Sequence, residues 1–161
     1  MSNLNSSPIL IFGATGSIGG AAAKTLKKNK KKLLLSNSND NESIKSLSHQ
    51  VSSPYFSFDL LNKDFTHHML KKEVSKNINS LSGLIISIAK PFPNKFTHNT
   101  DDLVLKEQLD IHILALHKII KGCLPFLEAS RKVCVPRITY ISTEYLIGSP
   151  PIKIGPYLAA K

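Results

Sequence analysis

An apolar run from Pro8 to Phe12 stops at Gly13, and the chain then reads Gly13-Ala14-Thr15-Gly16-Ser17-Ile18-Gly19, with helix-forming sequence from Ser17 through Lys28. A short buried strand must turn within a few residues into a helix that packs back on it. Glycines supply both the tight turn and the close backbone approach this demands. The unpaired amides at the start of such a helix attract a negative group. Two readings fit: a cradle for the pyrophosphate of a dinucleotide, and a glycine loop that is only structural. A turn alone would not require Gly16 and Gly19 as well as Gly13, which favours the cradle. Gly13, Thr15, Gly16, Ser17, Ile18 and Gly19 are the candidate phosphate-binding residues.

The alternation continues along the chain. Lys32 to Leu35 reads as a second strand, and a weaker helical segment surrounds Ile44 and Leu47. Tyr55 to Leu60 reads as a third strand, followed by helix from Lys63 to about Asn77. Gly83 to Ile88 is a fourth strand whose continuous apolar character suits burial on both faces. From Asp101 to Ser130, Leu105, Leu109, Ile113, Leu116, Ile120 and Leu124 recur at helical spacing and predict one long helix kinked at Pro125. Ile138 to Ile141 is a fifth strand, and a last helix opens near Pro156. Strands alternating with helices in this order predict an α/β fold, a Rossmann-type doubly wound parallel sheet. At 161 residues, 42% of them hydrophobic, the chain is read as a single domain over residues 1–161.

Composition narrows the function classes. The net charge is +10, yet Arg131 and Arg137 are the only arginines. The lysines are spread out without interleaved aromatics, so nucleic acid is not an expected partner. The densest run, Lys27 to Lys32, reads as a solvated face. No stretch approaches the apolar length needed to cross a bilayer, and the N-terminus lacks a secretory leader pattern, so a cytoplasmic protein is expected. Cys123 and Cys134 have no metal or disulfide spacing and read as reduced, partly buried thiols. No metal site is expected; His67, His68 and His117 read as surface or packing residues.

Three further places carry chemistry. Asp59 closes the third strand beside Leu60, where a carboxylate either meets the amino group of an adenine base or serves as a turn or helix-capping aspartate. The second strand ends in Leu35-Ser36-Asn37-Ser38 with no acidic residue to hold the ribose hydroxyls of NAD. That absence leans towards NADP, with Lys45 or the Lys30 to Lys32 run as cations for a 2′-phosphate; the plain alternative is a set of turn formers. Tyr157-Leu158-Ala159-Ala160-Lys161 puts a phenol and an ammonium one helical turn apart on one face. A phenol works as an acid or base near neutral pH only with a cation beside it. Ser142 and Thr143, at the end of the fifth strand, offer hydroxyls to the same carbonyl oxygen as Tyr157.

With the glycine turn, the Ser142-Thr143 pair and Tyr157-x-x-x-Lys161, the chain resembles the short-chain dehydrogenase/reductase family from Gly13 to Lys161. The resemblance implies reversible hydride transfer between NADP or NAD and a small carbonyl or alcohol, with a 3-oxoacyl thioester as one candidate substrate. It implies that Tyr157 is the acid/base, that Lys161 lowers its pKa and holds the nicotinamide ribose, and that Thr143, or else Ser142, orients the carbonyl. It also implies that Ser36, Leu60 and Ala89 contact the cofactor. Some positions depart from the family pattern. Ser87-Ile88-Ala89-Lys90 stands where the shorter branch has Asn-Asn-Ala-Gly, and His112 stands at the expected proton-relay asparagine, where it either holds a water or is structural. Family members continue beyond the Tyr-Lys helix, so a sheet of about five strands, lacking the usual C-terminal ones, is expected, with a bare edge that favours a homo-oligomer. Two alternatives remain beside an active oxidoreductase. One is a truncated, catalytically weak nucleotide-binding remnant or subunit. The other is a nucleotide-sugar epimerase or dehydratase of the family's extended branch, whose Gly-x-x-Gly-x-x-Gly turn this chain shares.

Overall fold

The structure, a computed structural model, describes residues 7–161. Five strands form one parallel sheet: β1 (Ile9–Phe12), β2 (Leu33–Asn37), β3 (Tyr55–Ser57), β4 (Gly83–Ile86) and β5 (Arg137–Tyr140), in the spatial order β3-β2-β1-β4-β5. β1 lies between β2 and β4, with Leu10 opposite Leu34 on one side and Leu84 on the other. The chain winds outwards from β1 in one direction through β2 and β3, then returns to its other side with β4 and β5. The ends of β1 and β4 therefore flank a crevice, the place where open sheets of this kind bind ligands.

Alternating residues of each strand supply two cores. Leu10, Phe12, Leu34, Leu84 and Ile86 face α3 (His67–Ser75) and α5 (Leu116–Ser130), where they join Leu70, Val74, Ile119, Cys123 and Phe126. Ile11, Leu33 and Leu35 face α1 (Ser17–Lys28) and α2 (Glu42–Gln50) through Ala23, Ile44 and Leu47. This two-sided burial explains why β1, β2 and β4 are apolar without alternation. Cys123 is fully buried, and burial pushes its thiol up to about 12, so it packs as a neutral apolar group.

Several boundaries differ from the sequence reading. β3 ends at Ser57, so Asp59 lies in a turn beyond it instead of closing the strand; β4 ends at Ile86 rather than Ile88, and β5 begins at Arg137. The helix expected from Lys63 starts at His67, because the Thr66 hydroxyl accepts from the Met69 amide and Asn62 Oδ1 holds Asp64 N in a turn. The single long helix is three segments: α4 (Asp102–Leu109), a π-helical stretch over Asp110–Ala115, and α5, which runs through Pro125 to Ser130. A π turn holds more residues than an α turn and so re-phases the helix beyond it. Ile113 and Leu124 of the expected apolar stripe are exposed, and the buried positions include Ile111, His112, Ala115, Ile119 and Cys123. From Ile111 to Leu116 the segment is apolar on every side but for His112, so spacing alone did not select its inner face. The last helix, α6 (Gly155–Ala160), is short but packs against α4 and buries Ala160 and Ile154.

Candidate active site

The glycine turn is built from backbone pressed against backbone. Gly13 has φ +71°, and a Cβ there would stand 2.1 Å from the Ser87 carbonyl oxygen at the end of β4. A Cβ on Gly19 would stand 2.2 Å from the Gly13 carbonyl oxygen. Gly16 N donates to that same oxygen at 3.1 Å, and Ala14 N donates to Ser36 O at 3.1 Å, tying the turn to β2. Gly16 caps α1 without a side chain, so no side chain occupies the amides of the first turn. In front of the turn lies a groove of about 340 Å³ lined by Gly13, Thr15, Gly16, Ser36, Asp59, Leu60, Ala89 and Ile111, among others.

The expected cofactor residues divide around this groove. Thr15 donates its hydroxyl to Asn37 Oδ1 at 2.8 Å, joining the turn to the end of β2. Ser36 is a buried residue of the groove wall, and its hydroxyl has no hydrogen-bond partner among the described residues. Asp59 accepts from Leu61 N through Oδ1 at 2.9 Å, so it stabilises its own turn while standing at the groove wall. Gly19 is buried beneath the turn, Ser17 faces a neighbouring groove between α1 and α2, and Ile18 is largely exposed. Of the cations expected for a 2′-phosphate, the Lys30 to Lys32 run is placed elsewhere. Lys30 to Lys32 precede β2 and lie at the opposite end of the sheet from the groove, because a strand carries its two ends to opposite edges. Lys45 is paired with Glu42 at 3.4 Å and Asp40 at 3.9 Å.

Beside the groove, β5, α6 and the π-helical stretch bring four titratable residues together. Tyr157 stacks on Phe92 with ring centres 4.4 Å apart and meets His112 edge to face at 5.9 Å. His112 Nδ1 and the Tyr140 hydroxyl are 3.0 Å apart. Lys161 donates from Nζ to the Ile141 carbonyl at 3.1 Å, and Nζ lies 5.6 Å from the Tyr157 ring centre. Burial lowers the Lys161 ammonium below its ordinary pKa. Burial first, and the Lys161 charge second, bring His112 down to about 4, so its ring is neutral at ordinary pH. Ser142 is exposed, and Thr143 caps the next turn by accepting from Tyr145 N at 3.4 Å; neither hydroxyl hydrogen-bonds Tyr157. The structure thus gathers Tyr157, Lys161 and His112, with the hydroxyl pair close in sequence to the lysine's carbonyl partner.

Sequence reasoning missed Phe92 and Tyr140, and singled out Lys90 only as a departure from the family pattern. Tyr140 was within reach of it, since residues two apart in a strand share a face and Tyr140 precedes Ser142 by two. Lys90, where the family's shorter branch has glycine, pairs with Glu107 at 2.6 Å, while its carbonyl accepts from Gln108 Nε2 at 3.4 Å; together they clamp the loop after β4 to α4. No pattern in the sequence announced that clamp.

The comparisons agree with this architecture. The sequence model of the family described as enoyl-(acyl carrier protein) reductase matches residues 13–153, and the chain belongs to this family of short-chain dehydrogenases. No curated protein matches the chain. Among solved structures, a short chain dehydrogenase from Shigella flexneri is 20% identical with a TM-score of 0.84, over 98% of this chain and 63% of its own. A putative short chain dehydrogenase from Escherichia coli CFT073, complexed with NADPH, is 19% identical with a TM-score of 0.84, over 99% of this chain and 68% of its own. The NADH-dependent reductase A1-R′, complexed with NAD, is 21% identical with a TM-score of 0.84, over 98% and 68%. The chain therefore spans about two thirds of the length of these proteins. They share its Rossmann-type fold. Among the described residues no helix is long and apolar enough to cross a membrane, and no cluster of His, Cys, Asp and Glu has the geometry to hold a metal.

Gly13→Ala and Gly19→Ala each force a Cβ into a carbonyl oxygen and should lower stability by about 2 kcal/mol or more, whereas Gly16→Ala, with 3.3 Å of space, should lower it less. Urea unfolding of the three variants measures that order. His112 has a folded-state pKa below its ordinary 6.5, so the unfolded chain takes up the proton first and stability should fall as pH drops from about 6.5 to about 4. Replacing His112 with Gln should flatten that part of the stability profile, and an unchanged slope would contradict the assignment.

Proposed function

We propose that the protein is a nicotinamide-dependent oxidoreductase that interconverts a small carbonyl compound and its alcohol. The observation that carries this reading is an uncapped glycine cradle in a groove whose wall residues Pro91 and Ile111 adjoin Phe92 and His112 of the Tyr157–Lys161 cluster. The residues fit a dinucleotide: the first-turn amides of α1 carry no side-chain cap, and the buried hydroxyl of Ser36, a residue of the groove wall, lacks a partner. Bound there, the nicotinamide would supply or accept the hydride. Gly13, Thr15 and Gly16, with the first-turn amides of Ser17 and Ile18, would hold its phosphates, while Asp59, Leu60, Ser36 and Ala89 would line the adenosine and ribose.

In the direction of reduction, Tyr157 gives its phenolic proton to the carbonyl oxygen, and in oxidation it takes that proton back. Lys161, held by the Ile141 carbonyl, keeps a positive charge near the phenol and stabilises its deprotonated form. Thr143, with Ser142 as the second hydroxyl, orients the carbonyl. The end of β2 at Asn37 carries no carboxylate to repel a 2′-phosphate, which supports NADP over NAD. The substrate class proposed is a 3-oxoacyl thioester or a related carbonyl, acted on in the cytoplasm. A nucleotide-binding protein without turnover is the second reading, favoured by the absence of a hydrogen bond between Tyr157 and either strand-end hydroxyl.

Titration with NADPH and NADH, followed by nicotinamide fluorescence, tests the proposal. Saturable binding, tighter for NADPH, is expected, to be abolished by Gly16→Asp and kept by Tyr157→Phe. Tyr157→Phe should lower carbonyl reduction by roughly 10²- to 10⁴-fold. Binding by the unmodified chain without any turnover would favour the second reading, and no binding by it would refute both. We infer that the protein forms a homo-oligomer, with the exposed apolar side chains of Val135 and Ile138 at the contact. A sedimentation profile showing monomer alone would rule that out.

A further inference from the structure

We propose that Tyr140 is a positioning residue that donates its hydroxyl to His112 Nδ1, fixing the imidazole as the Nε2–H tautomer and presenting that N–H beside Tyr157 to an oxygen of the bound substrate. The donor role rests on the oxidoreductase reading; the tautomer does not. The two groups come from different elements, Tyr140 from β5 and His112 from the π-helical stretch, and meet at 3.0 Å. A phenol hydroxyl is the stronger acid of the pair, and an unprotonated imidazole nitrogen is a good acceptor, so the bond runs from Oη to Nδ1. A neutral imidazole carries one proton, which is then on Nε2.

Nε2 is buried and has no hydrogen-bond partner in the protein. Buried polar atoms left alone in this way call for an explanation, and a ligand atom that arrives later is one. The His112 ring stands edge to face with Tyr157, 5.9 Å between centres, and follows Ile111 of the groove wall, so Nε2, closed off in the free chain, meets a substrate oxygen when the side chains around it shift to admit one. The charged and titratable groups around the imidazole are Tyr140, Tyr157 and Lys161, whose Nζ lies over the Tyr140 ring at 5.2 Å. None is a carboxylate that would favour a second proton, and the ring stays neutral, with a pKa near 4. A neutral ring with a fixed N–H differs from the amide expected at this position in having a single donor whose direction is set from behind.

Nitrogen NMR of the histidine-labelled chain tests the tautomer without cofactor or activity. In the unmodified protein His112 should show an unprotonated Nδ1 and a protonated Nε2, and Tyr140→Phe, which keeps the ring and removes only the oxygen, should give a mixture of tautomers. A protonated Nδ1 in the unmodified protein would overturn the proposal even if the variant failed to fold, and so would an unchanged tautomer in a folded Tyr140→Phe. The donor role is read by adding an acetoacetyl thioester in the presence of NADP: the His112 Nε2–H resonance should shift on saturation, and the shift should shrink in Tyr140→Phe. A bound thioester that leaves Nε2–H unmoved would reduce Tyr140 to a strut between β5 and the helix. No fluorescence response to NADPH would sink the oxidoreductase reading, and the donor role with it, while the tautomer result would stand.

Discussion

Everything at the crevice depends on one contact, the approach of Gly13 to the end of β4 with no side chain between them. Because β1 and β4 are paired and run in the same direction, their ends arrive side by side, and the chain leaving β1 must turn away immediately. The positive φ at Gly13 makes that turn, and Gly19 lets α1 settle on the turn's own carbonyl. The groove is the space left over once these backbones have closed on one another. Its lining joins the main chain and short side chains of the turn, suited to phosphate, to the apolar side chains of Phe12, Phe58, Leu60, Ile88 and Ile111.

The second half of the site is assembled differently. Tyr157, Lys161, His112, Tyr140 and Phe92 come from four separate parts of the chain, and aromatic faces and one long hydrogen-bonding side chain hold them together. Lys161 reaches back to β5 through the Ile141 carbonyl, and Tyr157 is stacked against Phe92 from the loop after β4. The short helix α6 is therefore located by its side chains and by α4 as much as by its own hydrogen bonds, which is what a helix of fewer than two turns requires.

The parts of the fold legible in the sequence were those in which local pattern and tertiary demand coincide. β1, β2 and β4 are apolar on both faces, and the glycine turn needs three residues that few other contexts would need together. The reading was weaker where a local preference was decided from a distance. Asp59 carries no mark that separates a turn aspartate from a groove carboxylate, and it is both. The Lys30 to Lys32 run is near the end of β2 in sequence only, since the residues of a strand separate its two termini in space. In the long helix Ile111, Ile113, Leu114 and Leu116 point in nearly every direction, so the choice between a stripe through Ile113 and one through Ile111 fell to the π-helical turn, which leaves no trace in composition. Of the site itself, Tyr157 and Lys161 were visible as a pair, but Phe92 and Tyr140 acquire meaning only once the sheet order places them beside α6.

That π turn also constrains how this helix can vary. In an ordinary α-helix each residue advances the azimuth by about 100°, so one residue more or fewer swings everything downstream away from its neighbours. Here the wide turn absorbs the surplus between α4, which supports α6 and the loop after β4, and α5, whose inner face packs on α3 and the sheet. The two halves of the helix serve separate surfaces and share no single hydrophobic phase. Their lengths are thus coupled through Asp110–Ala115 in the way two gears are coupled through an idler, and the site on one side keeps its alignment only while the core on the other keeps its count.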